Sequence, residues 1–173
     1  MTRTIQTEPL TQAAFASYGE VLDCVGAPDK LINAGLCGRY HDRARLDFGV
    51  ETGGRVGISI FNAQPRALPY GLDLVERHPD GSQAFIPMHQ HPFLVIVALD
   101  QGGTPGTPRA FVTNGAQAIN LHRGTWHGVL TPLAAPGLFA VVDRIGATPN
   151  LEEYRFDTPW RVENHNDPEQ PGV

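Results

Sequence analysis

Apolar and polar residues alternate in short runs along most of this chain, and one run near its centre is apolar throughout. Residues 56–62 set Val56, Ile58 and Ile60 against Gly57, Ser59 and Phe61, a period of two that predicts a strand. Residues 20–25, 72–77, 109–113, 117–121, 125–130 and 138–143 are further short extended runs. Asn114-Gly115, Arg123-Gly124 and Ala135-Pro136-Gly137 punctuate the later ones as turns. Thr11 is placed to cap a short helix over 12–18 that Gly19 stops, and 149–154 has room for one helical turn. Residues 27–42 follow neither period. Many short strands with turn signals between them predict an all-β sandwich or small barrel with one or two short helices. The 19 glycines and 15 prolines leave little room for long ones.

Residues 76–99 organise the rest. The apolar run 93–99 is rich in β-branched residues and far shorter than the roughly 20 residues of a membrane-spanning helix, so it predicts a strand buried on both faces. Extended from 83 to 91, the chain would turn Gln83, Phe85, Pro87, His89 and His91 to one side and bring two imidazoles together. The competing expectation is an exposed loop before Pro92, with both rings in water.

Composition narrows the class. At 173 residues the chain suits one domain, expected over 1–162, with 163–173 a disordered tail because almost nothing in it is apolar. The 13 basic residues are scattered among 18 acidic ones, for a net charge of −5, so no basic stripe exists to engage nucleic acid. With no secretory signal pattern and no apolar run of membrane length, the expectation is a soluble cytoplasmic protein without a membrane partner. Cys24 and Cys37 read as reduced thiols, although Arg39 and His41 lie close enough to Cys37 to leave a reactive thiol open.

His89-Gln90-His91 followed by Gly124-Thr125-Trp126-His127 resembles the two-motif signature of the cupin superfamily, whose histidines hold one metal inside a small double-stranded β-helix. Val95 or Ile96 stands where that signature carries Glu, His122 replaces its Pro, and Thr131 its final Asn. Three neutral imidazoles suffice to hold a divalent ion with open positions, so His89, His91 and His127 form a candidate metal site, with His78, Glu76 and Gln83 as further donors.

A closer resemblance covers most of the chain. Residues 10–21, Ile32-Asn33-Ala34-Gly35, Arg39-Tyr40-His41-Asp42, Glu76-Arg77-His78-Pro79, residues 81–87 and 93–98, Trp126-His127 and Val142-Asp143-Arg144 follow one another as in the ureidoglycolate lyase family. At His89 and His91 that family more often carries Lys or an acidic residue, and Gly128 here replaces a second His. The resemblance implies a cupin-like, homodimeric enzyme of allantoin breakdown that cleaves ureidoglycolate to glyoxylate and urea, with a divalent ion, nickel or zinc, as its cofactor. Breaking that carbon–nitrogen bond needs a base for the hydroxyl proton and an acid for the departing nitrogen, roles that suit His127, His78 and Glu76. Arg144 and Arg39 are the candidate forks for the substrate carboxylate, ahead of Arg77, which should face away from Glu76 and His78. Gln83 and Asn120 are candidates for the ureido amide, and Trp126 is expected in the core. The rival expectations are a metal-dependent cupin oxygenase or isomerase, hydrolysis with ammonia release, and a barrel that only binds a small molecule.

Overall fold

The structure is a computed structural model that describes residues 3–165. In chain order the strands are β1 (Arg3–Pro9), β2 (Gly19–Leu22), β3 (Lys30–Ile32), β4 (Cys37–Arg39), β5 (Arg55–Asn62), β6 (Tyr70–Arg77) and β7 (Gln83–Pro87). There follow β8 (Phe93–Ala98), β9 (Arg109–Val112), β10 (Ala118–Leu121), β11 (Trp126–His127), β12 (Thr131–Pro132), β13 (Leu138–Ile145) and β14 (Glu152–Glu163). The helices are the single-turn α1 (Gln12–Phe15), capped by the Thr11 side chain on the Ala14 N–H, and a 3₁₀ turn over Val50–Thr52. All-β architecture with two short helical turns is what the alternation and the turn residues predict.

Five strands in the order β2-β10-β7-β13-β5 form one sheet, and seven in the order β11-β6-β14-β1-β9-β8-β12 form the other. Short β11 pairs with both β6 and β8, which closes the larger sheet on itself. The result is the cupin-like small barrel. Phe93, Val95 and Val97 of β8 pack into one cluster with Phe85, Phe111, Ile119, Leu121, Phe139 and Val141. The alternate residues Leu94, Ile96 and Ala98 enter a second cluster with Leu72, Val75, Trp126 and Val162. The central apolar run is thus buried on both faces, and Trp126 is core, as expected. Because Val95 and Ile96 each feed one of these clusters, neither position has room for the cupin carboxylate.

Two stretches depart from the sequence reading. Residues 152–163, of which 152–154 were expected in a helical turn and 163 at the start of a loose tail, form the longest strand, paired with β6 and in parallel with β1. Their apolar residues, Tyr154, Phe156, Trp160 and Val162, pack against the second cluster rather than on a helical stripe. Order continues past 162, since the His165 N–H donates to Thr7 Oγ1 at 3.1 Å; the remainder of the expected tail, 166–173, lies outside the described residues. Residues 88–91 are not extended either. They form a bend between Pro87 and Phe93, where the chain turns from one sheet into the other, and the alternation that would align His89 with Gln83 is lost.

Candidate functional site

Glu76 and His78, two residues apart at the end of β6, lie on the same side of the chain. β11 lays His127 opposite Glu76 in its ladder. One ligand atom from each of these three residues lies within 4.8 Å of the others, the one such group of His, Cys, Asp or Glu among the described residues. His78 Nδ1 bonds the Asn150 carbonyl at 2.7 Å, and His127 Nδ1 bonds the Gly128 carbonyl at 3.0 Å. A carbonyl only accepts, so each Nδ1 carries the hydrogen, and when a ring is neutral its lone pair lies on Nε2. Both Nε2 atoms are buried without a partner.

Burial sets the protonation of the cluster. His127, 3% exposed, has its pKa pushed down to about 3 by burial and by the charge of His78, against the Gly128 hydrogen bond. Burial raises the Glu76 carboxyl above the usual carboxylate range; His78 opposes this and Glu153 reinforces it. A neutral imidazole thus stands beside a carboxyl that holds its proton more tightly than usual. Beside His127, Phe85, Phe93, Ile119 and Leu121 line a cavity of only about 20 Å³, roughly the room of one water.

The residues singled out from sequence divide into two sets. His127, His78 and Glu76 assemble. Gln83 joins the same face, two residues from Phe85, whose ring lies 6.4 Å from that of His127. His89 and His91 stay outside the group: their rings stack at 5.7 Å on the bend, the His91 N–H donates to His89 Nδ1, and His89 meets Phe139 edge-on. The triad His89, His91 and His127 is therefore not formed.

Arg144 is 6% exposed but sits on the face opposite Asp143 and Gln83. Its guanidinium lies under the 49–54 loop, bonded to Thr52 Oγ1 at 3.0 Å and Thr148 Oγ1 at 2.8 Å. A Cβ on Gly146 would stand 2.6 Å from three of its atoms, so it fills the space of a missing side chain. Arg39 remains on the exposed β3–β4 hairpin, bonded to His41. Asn120, between the core residues Ile119 and Leu121, points to the outer face, where it donates to Glu20 and to the Arg45 carbonyl. None of these three stands with His127. Arg77 faces away as expected, paired with Glu152 and Asp100 and lying over Trp126.

The profile of the ureidoglycolate lyase family matches residues 2–163, nearly the whole chain. The chain belongs to that family. A ureidoglycolate lyase of Rhodobacter capsulatus is 58% identical over 159 residues, which cover 92% of this chain and 98% of the relative. One from Chelativorans sp. is 48% identical over 160 residues, 92% of this chain and 96% of its own length. Ureidoglycolate lyase 2 of Rhizobium meliloti is 48% identical over 158 residues, 90% and 94% of the two chains. The resemblance read from the ordered sequence blocks is thus the right one.

In this member of the ureidoglycolate lyase family the residue before Arg144, Asp143, was not among the sequence candidates, yet Phe139, Val141 and Asp143 alternate onto the inner face. There Asp143 meets Gln83, its partner in the β13–β7 ladder. The period of two was the available signal.

Proposed function

We propose that this protein is a carbon–nitrogen lyase that cleaves ureidoglycolate to glyoxylate and urea, in the allantoin branch of purine nitrogen breakdown in the cytoplasm. Family membership and the names of the relatives support the reaction; the observation in the fold that carries it is the pair of free Nε2 lone pairs held against Glu76. As the substrate hydroxyl becomes the aldehyde, its proton passes to an Nε2 of His127 or His78, each already oriented by a backbone carbonyl. The carbon–nitrogen bond breaks, and the departing nitrogen takes a proton from Glu76, whose raised pKa suits it to donate. One proton leaves oxygen and one arrives on nitrogen, so no water or oxidant is consumed. That balance separates the lyase from hydrolysis with ammonia release and from a cupin oxygenase.

The same three groups fit a divalent ion. Two buried, unpartnered Nε2 atoms and one carboxylate are a donor set for nickel or zinc, with each opposite ring nitrogen already bonded to a carbonyl. Bound there, such an ion would occupy the two Nε2 lone pairs and the Glu76 carboxylate, replacing the direct proton transfers above, and would lower the pKa of the substrate hydroxyl. The holders we assign are Glu76, His78 and His127, in place of His89 and His91.

A homodimer completes the proposal. On the outer face of the five-stranded sheet, Ile58 and Ile60 are 73% and 60% exposed, opposite Val142 and Ala140, with Ile86 following on β7. Strand β5 is the edge of that sheet, and an apolar edge and face of this kind fit a second copy. The deciding experiment is release of glyoxylate and urea from ureidoglycolate by the purified protein, before and after chelation. Equimolar products lost on chelation and restored by one divalent ion support the lyase with the ion held by Glu76, His78 and His127, in place of direct proton transfer by them. Products unaffected by chelation keep the lyase and remove the ion, and ammonia in place of urea removes the lyase.

A further inference from the structure

Two buried oxygens at the barrel mouth lack donors. Gln83 Nε2 donates to Asp143 Oδ2 at 3.4 Å, which leaves Gln83 Oε1 and Asp143 Oδ1 without a partner, both buried. The orientation of the Gln83 amide follows from its neighbour, because turning it over would set its oxygen against a carboxylate that cannot donate. Two desolvated acceptors on one hydrogen-bonded pair of side chains are costly unless something brings N–H groups to them, and native interiors seldom leave such groups unsatisfied. Nothing on the chain's described residues does so.

We infer that Asp143, paired with Gln83, is the substrate-binding residue that reads the ureido group, its Oδ1 and the Gln83 Oε1 each accepting an N–H from the urea nitrogens. This deepens the lyase reading and rests on it. The chemistry matches on three counts. A urea edge presents N–H donors side by side, which suits two adjacent acceptors and gives a carboxylate its strongest partners. Gln83 and Asp143 lie opposite each other in the β7–β13 ladder and share the inner face with Phe85, whose ring stands edge-on 6.4 Å from that of His127, so they lie on the side of the barrel that His127 enters. The two ends of the substrate then meet different sheets. The ureido end meets the five-stranded sheet at Gln83 and Asp143, and the hydroxy-acid end meets Glu76, His78 and His127 on the closed one. An N-acyl analogue whose terminal amino group is replaced by methyl would leave an acceptor bare, so the pair selects carbamoyl over acyl substrates.

The test is product inhibition. Initial rates with ureidoglycolate are measured for wild-type protein, Asp143→Asn and Gln83→Leu, with urea and glyoxylate added separately, and each variant's melting temperature is recorded. Expected for both variants is a KM raised roughly tenfold or more, urea inhibition weakened in step, and glyoxylate inhibition within about twofold of wild type. Unchanged urea inhibition in a folded variant overturns the inference. Equal weakening of urea and glyoxylate also overturns it, since that marks a structural role. Should Asp143→Asn fail to fold, Gln83→Leu decides by the same two readings. A wild-type protein that releases no products removes the lyase reading, and this inference with it; turnover with urea inhibition insensitive to both substitutions removes the inference alone.

Discussion

The rings of His78 and His127 stand 5.3 Å apart at 40°, and each is fixed through Nδ1 to a backbone carbonyl, so that both Nε2 atoms face a space bordered by Glu76. Rings held in this way keep one tautomer and one orientation, which is the preparation that either proton transfer or metal binding requires. The first expectation follows from it. His127→Ala lowers kcat by roughly 10²–10⁴ while the barrel stays folded, as steady-state rates and a melting curve would show. Near wild-type turnover would remove His127 from the mechanism.

The ligand assignment separates the two histidine sets. Titration of chelated protein with nickel or zinc should give one site per chain, weakened at least tenfold by Glu76→Gln or His78→Ala. The double change His89→Ala with His91→Ala should leave it untouched. The reverse pattern would restore the His89, His91 and His127 triad.

Burial of His127 makes stability depend on pH. Its folded pKa of about 3 lies below the unfolded value of 6.5, so between those values the unfolded chain binds a proton that the native state refuses. The stability is fully present above pH 6.5 and is lost as pH falls toward 3. Chelated wild type at pH 5 should have lost about 2 kcal/mol from this group relative to pH 7.5. His127→Gln should show a correspondingly flatter denaturant midpoint across that interval, and equal slopes for the two proteins would contradict it.

Arg144 lies apart from the His127 cluster, beneath the 49–54 loop, with its Nε buried and without a partner. Among the described residues its guanidinium bonds Thr52 and Thr148 and makes no ion pair. Arg144→Ala, which empties the space beneath the 49–54 loop, should cost about 2–3 kcal/mol. By calorimetry that corresponds to a melting temperature roughly 5–10 °C lower. KM measured below the transition should stay within a few-fold; a large rise in KM with unchanged melting would return Arg144 to the substrate.

The proposed dimer is tested on β5. Wild-type protein should run at twice the chain mass by light scattering, and Ile58→Asp, which sets a charge in the exposed apolar face, should run as a monomer. A wild-type monomer at micromolar concentration would remove the second copy from that face.

Local patterning fixed much of this protein before any contact was known. The period of two in 56–62 and 138–143, the turn residues between the later strands, and the doubly apolar run 93–98 dictate an all-β fold, because side-chain alternation is a property of each strand alone. Ordered blocks across the chain specified the family. The partners of the site residues were beyond such reading. His89 and His91 show the right spacing for a shared ligand, but Pro87 ends β7 and the chain must turn into β8, so the alternation stops before it reaches them. Residues 152–163 hide a strand because they find their register only against β6 and β1, far away in sequence. Asp143 and Arg144 are adjacent letters of equal interest, and strand direction sends one into the barrel and the other beneath a loop. Sequence determined which residues could do the chemistry. Closure of the larger sheet through β11 decided which of them meet, since that pairing alone carries His127 to Glu76 and His78.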